Sequence, residues 1–220
     1  MSLTLRTAVI ETAQAMSAAG LSVGTSGNVS ARSRRGFLIT PTGMPYASLR
    51  PHDIAEVDWK GRAEGSRLPS SEWRMHLDVF AARPEVGAIV HCHPPHGTSL
   101  SCVRREIPAF HYMVAVAGGN SIRCARYETF GTAELAAAAV EALQDRRACL
   151  LANHGMLALG ATPQDALKLA SEVENLAGQY LHALSVGEPV VLDDAEMRLI
   201  LEKFRTYGQQ RPRLVWSSGK

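Results

Sequence analysis

The stretch VGAIVHCHPP (residues 86–95) decides how this chain is read. It opens on small and branched apolar residues, alternates two histidines with a cysteine, and ends in two prolines. A short apolar run closed by turn residues reads as a buried strand. Residues two apart on a strand project to one face, so His91 and His93 aim together while Cys92 faces the other way. Two ionisable rings on one face carry a desolvation cost that something must offset. A second apolar run, CLLANHGMLAL (residues 149–159), also reads as a strand and carries His154. Three imidazoles with an open fourth position make a catalytic divalent-metal site, most often zinc. Spacing alone does not fix the third ligand. His52, His76, His96 and His182 read as ordinary core or rim histidines.

The bulk properties suit one globular domain, since 46% of the 220 residues are hydrophobic. Lys and Arg total 23 against 21 acids, a formal net charge of +2, which argues against a general nucleic-acid or membrane binder. Basic residues gather near the end (Lys203, Arg205, Arg211, Arg213, Lys220) and read as a solvated tail. Cys92, Cys102, Cys124 and Cys149 form no C-x-x-C pair and no secreted-scaffold pattern, so reduced thiols and a cytoplasmic location are expected. No apolar run resembles a signal peptide or reaches transmembrane length.

Around the two histidine runs, the expected elements are a helix over 3–19, a loop over 24–30 and strands over 37–40 and 54–59. A helix is expected to open at Ser70 and Ser71 and stop before Pro84. A short helix over 97–103, a strand over 112–117 and an Ala-rich helix over 132–145 follow. Thr162 and Pro163 cap and start the longest helix, and Asp193 caps the last. The pattern is α/β, with a central sheet flanked by helices but without regular β-α-β alternation.

Three further segments combine glycine, hydroxyl and amide groups: Thr25-Ser26-Gly27-Asn28, Thr42-Gly43 and Ser70-Ser71. Each presents backbone N–H groups that can approach an anion, and the serine pair sits at a helix start. None matches a Walker loop or a dinucleotide fingerprint. Glu72 directly follows the serine pair. Beside a metal and a phosphate it becomes a candidate general acid or base.

Several motifs in this order resemble the class II aldolase/adducin family, and within it the fuculose-phosphate aldolase branch. They are GTSGNVS (24–30), LITPTGMPY (38–46), LPSSEWRMH (68–76), VHCHPPH (90–96), IPAFHYMVAVAGGNSI (107–122), TFGT (129–132), ANHGM (152–156) and KFRTYG (203–208). The resemblance implies a single-domain class II aldolase-like fold over residues 1–208, with a mainly antiparallel sheet between helices. Residues 209–220 would form a tail with disorder expected. It implies that His91, His93 and His154 ligate Zn2+, with Mn2+ or Co2+ as substitutes, and that Glu72 is the catalytic carboxylate and a further ligand. Gly27, Asn28, Thr42, Gly43, Ser70 and Ser71 match phosphate-binding positions. Tyr112 matches a proton carrier that reaches a neighbouring subunit's site, and Phe130 and Tyr207 match positions near the aldehyde end. A homotetramer with sites between subunits is implied.

The expected reaction is cleavage of a ketose 1-phosphate to dihydroxyacetone phosphate and a small aldehyde. The substrates in view are L-fuculose 1-phosphate, 5-deoxyribulose 1-phosphate and 5-methylthioribulose 1-phosphate. No lysine lies in the motifs that carry the histidines, Glu72 and the cradle, which argues against a Schiff-base aldolase. Rival readings are an L-ribulose-5-phosphate 4-epimerase or a methylthioribulose-1-phosphate dehydratase of the same fold. A non-catalytic adducin-like module is the reading from another class.

Overall fold

The computed structural model describes residues 2–206. Its strands are β1 (Asn28–Arg32), β2 (Gly36–Ile39), β3 (Ala55–Asp58), β4 (Ala63–Glu64), β5 (Ala88–Cys92), β6 (Ile107–Pro108), β7 (Ser121–Ile122), β8 (Cys124–Ala125), β9 (Ala148–Leu151) and β10 (Gly155–Gly160). Eight of them form one sheet in the order β4-β3-β2-β1-β5-β10-β9-β8, while β6 and β7 pair separately. Only the β8–β9 pairing in that sheet is parallel. The helices are α1 (Ser2–Ala18), α2 (Trp73–Ala82), α3 (Pro95–Cys102), α4 (Ala133–Ala142), α5 (Pro163–Val186) and α6 (Asp194–Phe204). The expected α/β class, with a mainly antiparallel sheet between helices, describes this arrangement.

The two-residue period of the strands divides the core in two. Val29, Ala31, Ala88, Val90, Cys92, Met156 and Ala158 face one layer with α1 and α5. Phe37, Ile39, Ile89, Leu151 and Leu157 face the other, with Met75, Val79 and Phe80 of α2 and Leu135 and Ala139 of α4. His91 therefore lies on the α2 side of the sheet and Cys92 on the α5 side. The caps sit where their residue types require. Thr162 accepts from the Asp165 N–H with Pro163 in the first turn, and Thr132 and Asp193 accept from the N–H groups of Leu135 and Glu196. Among the described residues no helix is long and apolar enough to cross a membrane.

Four local expectations change. The loop over 24–30 becomes strand β1 from Asn28 onward, because Asn28, Val29 and Ser30 pair with His91, Val90 and Ile89. The side chains that this strand turns toward α2, Asn28 and Ser30, are polar although buried, which hides its period. Residues 112–117 form a 3₁₀ helix instead of a strand. The His111 side chain accepts from the Met113 N–H at its start, Gly118 closes it at φ +93°, and Val114 and Ala117 are buried three residues apart. The run over 149–159 is two strands, β9 and β10, joined by a turn that carries His154. Helix α2 begins at Trp73, which leaves Ser70, Ser71 and Glu72 in the turn before it. Tyr207 and the tail over 209–220 lie outside the described residues.

Phe80 holds α2 to the sheet. It is fully buried, its ring lies 5.4 Å from that of Phe37, and the Arg32 guanidinium sits 4.9 Å from its centre. Arg32 in turn donates to the carbonyls of Phe80, Arg83 and Val86. We expect Phe80→Ala to cost about 3–5 kcal/mol by urea unfolding. Leu199→Ala, on the exposed face of α6, should stay within about 0.5 kcal/mol.

Candidate active site

Strand pairing brings the first elements of the site together. Asn28 on β1 stands opposite His91 on β5, and residues directly opposite share a face. Both point toward the start of α2, where Glu72 emerges. His93 lies one residue past β5, its N–H donating to the Leu21 carbonyl at 3.0 Å. His154 sits in the β9–β10 turn. Asn153 before it takes a left-handed conformation, φ +53°, which asparagine tolerates better than most residues. Its side chain is tied down by Arg104 Nε and by the Cys102 carbonyl. Gly155 after it is forced by space, because a Cβ there would meet Cys92 O at 2.5 Å and His93 Cδ2 at 2.7 Å.

The result is a tight four-group cluster. Ligand-capable atoms of Glu72, His91, His93 and His154 all lie within 4.8 Å of one another. His91 Nε2 is 2.9 Å from His93 Nε2 and 3.0 Å from Glu72 Oε2, and His154 Nε2 is 3.2 Å from Glu72 Oε1. Burial opposes charge on Glu72, but attraction to His91 and contacts from His154 and His91 outweigh it, so its carboxyl lies well below the usual carboxylate range. Burial also works against protonation of His91, yet Glu72 outweighs it and the pKa rises. His93 goes the other way: burial, then repulsion from His91 and His154, lowers it to about 3.

This donor set fits a divalent cation. His91 Nδ1 lies 3.0 Å from the Met156 carbonyl, which can only accept, so Nδ1 carries a proton and Nε2 is the nitrogen whose lone pair a cation would take. Buried Glu72 Oε1 completes no directed hydrogen bond despite its nearness to His154. Lone pairs of three imidazoles and a carboxylate thus converge with few protons to share, and three nitrogens with an open side suit a catalytic metal.

The anion-cradle segments also adjoin. Ser70 N–H donates to the Thr40 carbonyl and Thr42 N–H to the Leu68 carbonyl, which lays the Thr42-Gly43 turn beside the serine pair. Asn28 Nδ2 donates to Ser70 Oγ at 3.0 Å and to Glu72 Oε2 at 3.1 Å, so both side-chain protons of Asn28 are used inside the protein. Gly27, at φ +79°, leaves no room for a side chain between His91 O and Ser22 Oγ. Phe130 shares a cleft of about 280 Å³ with Ser71, Glu72, His93 and His154. Tyr112 is elsewhere: it stacks on His111 and lines a separate cleft of about 620 Å³ with Phe110, Leu192, Ile200 and Phe204.

Sequence reasoning missed several neighbours. Tyr46 donates its hydroxyl to the Gly27 carbonyl at 2.6 Å and holds that turn. Tyr127, Glu128 and Asn153 line the cleft beside Phe130. His76 is fully buried, and its ring nitrogens meet Asn28 Oδ1 and Ser30 Oγ. Its place one helical turn after Glu72 was a usable signal, since residues four apart share a helix face.

Comparison with known proteins gives concordant matches. The family model for the Class II Aldolase and Adducin N-terminal domain matches residues 7–181. The chain is 54% identical over 204 residues to a 5-methylthioribulose-1-phosphate/5-deoxyribulose-1-phosphate aldolase of Rhodospirillum rubrum, covering 93% of this chain and 92% of that protein. It is 50% identical over 201 residues to an L-fuculose phosphate aldolase of Escherichia coli, covering 91% and 94%. A solved structure of an L-fuculose 1-phosphate aldolase superposes with a TM-score of 0.89 at 43% identity, covering 92% of this chain and 96% of that one.

The crowding at Gly155 is testable. Gly155→Ala should destabilise the fold by about 1–3 kcal/mol in urea unfolding, as overpacking does. Gly187→Ala, where a Cβ meets nothing within 4 Å, should not lower stability.

Proposed function

The chain belongs to the class II aldolase and adducin N-terminal domain family, and we propose that it is a metal-dependent aldolase. It would cleave a ketose 1-phosphate reversibly to dihydroxyacetone phosphate and a small aldehyde. The observation that carries this reading is the Glu72, His91, His93, His154 cluster, which opens through Glu72, His93 and His154 into a cleft beside the Ser70-Ser71 turn. A non-catalytic module has no need of a buried carboxylate among three imidazoles.

In this reading His91, His93 and His154 hold the metal, with Glu72 as a further ligand when substrate is absent. A zinc ion bound there would act as a Lewis acid and lower the cost of negative charge on the substrate oxygens. The chain's own groups do the rest. Backbone and hydroxyl donors of Gly27, Thr42, Gly43, Ser70 and Ser71 fix the phosphate, with Asn28 behind them, and so reduce the entropic part of the barrier. Glu72 is ionised, so it is ready to remove the carbon-bound proton of dihydroxyacetone phosphate in condensation, and it returns that proton in cleavage. Phe130 bounds the aldehyde side of the cleft, and Tyr207, outside the described residues, would act on the aldehyde half.

Tyr112 would serve the site of a neighbouring copy as the proton carrier for the aldehyde oxygen. Its position outside its own chain's cleft and in an apolar surface cleft supports that role and a homotetramer with sites between subunits. The catalytic unit would span residues 1–208, working in the cytoplasm. Relatives bear names for 5-methylthioribulose 1-phosphate, 5-deoxyribulose 1-phosphate and L-fuculose phosphate, and we take these sugar phosphates as the candidate substrates.

Purified protein should release dihydroxyacetone phosphate from at least one of these three sugar phosphates in a coupled assay. Release should stop with a chelator and return with Zn2+, Mn2+ or Co2+. No release from any of them would overturn the aldolase reading. Alanine at His91, His93 and His154 together should abolish metal retention measured by elemental analysis. Glu72→Gln should retain metal and fold while kcat falls by about 10²–10⁴-fold, the range of a lost acid–base group.

A further inference from the structure

His76 is a histidine outside both the metal cluster and the cradle segments. It lies on α2 one turn after Glu72, is fully buried, and has both ring nitrogens engaged. Nδ1 is 2.6 Å from Ser30 Oγ, and Nε2 is 2.5 Å from Asn28 Oδ1. Asn28 and Ser30 are two apart on β1, so their side chains leave the same face and bracket the ring.

The direction of these bonds is settled by the carboxylate at their far end. Asn28 presents one polar end to Glu72 Oε2 and Ser70 Oγ, and the other to His76. An ionised carboxylate accepts only, so the Asn28 amino group faces Glu72 and its carbonyl faces His76. His76 Nε2 must then carry a proton, and with a neutral ring Nδ1 must accept from the Ser30 hydroxyl. Burial, then repulsion from His91, lowers the His76 pKa to about 3, so the ring is neutral at ordinary pH. Ser70 Oγ accepts from Asn28 Nδ2 and from the Glu72 N–H. Its own proton has no acceptor among the described residues.

We propose that His76 is a positioning residue: as its Nε2–H tautomer it aligns a one-way chain, Ser30 to His76 to Asn28 to Ser70, that turns the Ser70 hydroxyl proton outward to the substrate phosphate. The opposite sense of the chain would set Asn28 Oδ1 against Glu72 Oε2 and draw the Ser70 proton back onto Asn28. The anion would lose a donor, and the carboxylate would face a lone pair. The phosphate part of this inference rests on the aldolase reading; the tautomer does not.

Three measurements test it. On wild-type holoenzyme labelled with ¹⁵N-histidine, long-range ring correlations should show His76 with Nε2 protonated and Nδ1 bare, the signal being assigned by its loss in His76→Gln. An Nδ1–H tautomer or an imidazolium at neutral pH overturns the proposal. The second compares His76→Leu with His76→Gln by calorimetric binding of inorganic phosphate to the metal-loaded protein, which requires no turnover. Leucine should weaken binding by about 10–100-fold, as loss of a supporting partner does. Glutamine, whose amino group can donate to Asn28, should recover most of that loss at a similar melting temperature. Equal losses in both variants would mean a packing role and overturn it. In the third, the effects of His76→Leu and Ser70→Ala on phosphate affinity should be strongly non-additive; additive losses also overturn it. Absence of aldolase activity in the wild type would sink the reaction assignment and leave the tautomer result standing.

Discussion

A carboxylate buried among three imidazoles is the constraint on which the rest of the structure depends. Glu72 cannot leave water without compensation, and burial of an unpaired charge costs several kcal/mol. Compensation comes from elements that are remote in sequence: His91 from β5, His154 from the β9–β10 turn, and Asn28 from β1. Each of these is held in turn. The Met156 carbonyl orients His91, Arg104 and Asn153 secure the turn at His154, and His76 orients Asn28. Without a cation, a proton on His91 Nε2 can balance the charge of Glu72; a divalent ion would take that proton's place.

Much of this was legible in the chain because a two-residue period and the helix caps carry it. The H-x-H alternation put His91 and His93 on one face, and the capping residues Thr162 and Asp193 marked helix starts that the structure keeps. What could not be read had physical reasons. Strand β1 was hidden because Asn28 and Ser30, its buried residues on the α2 side, are polar, and their partners lie far off in the chain. The 112–117 segment carries alternating β-branched residues that suit a strand, yet the His111 side chain and Gly118 wind it into a 3₁₀ helix. His76 looked like any core histidine, since its importance lies in what each ring nitrogen touches. Tyr112 lines a cleft apart from the cluster, a separation that no spacing along the chain reveals.

In the proposed reaction the cluster and the cradle would address the dihydroxyacetone phosphate half, which the candidate sugar phosphates share. Choice among aldehydes would then fall to the other wall, where Phe130 stands with Tyr127 and Glu128. Those residues sit on the segment before α4, outside the sheet, where substitution disturbs the fold least. An acidic side chain on that wall, paired with Arg126 at 3.2 Å, gives it a polarity that a hydrocarbon pocket would lack.

The pairing of β5 with β10 has a consequence for how the protein is made. The hydrogen bond from His91 to Met156 spans 65 positions of chain. During synthesis the first two histidines emerge well before the third, and β10 must seat against β5 before all three share one space. An ion therefore cannot nucleate this fold as it does in a zinc finger. Long-range strand pairing has to come first, a slow step that pays loop closure before it gains contacts, and the centre is completed late, on a scaffold already largely built.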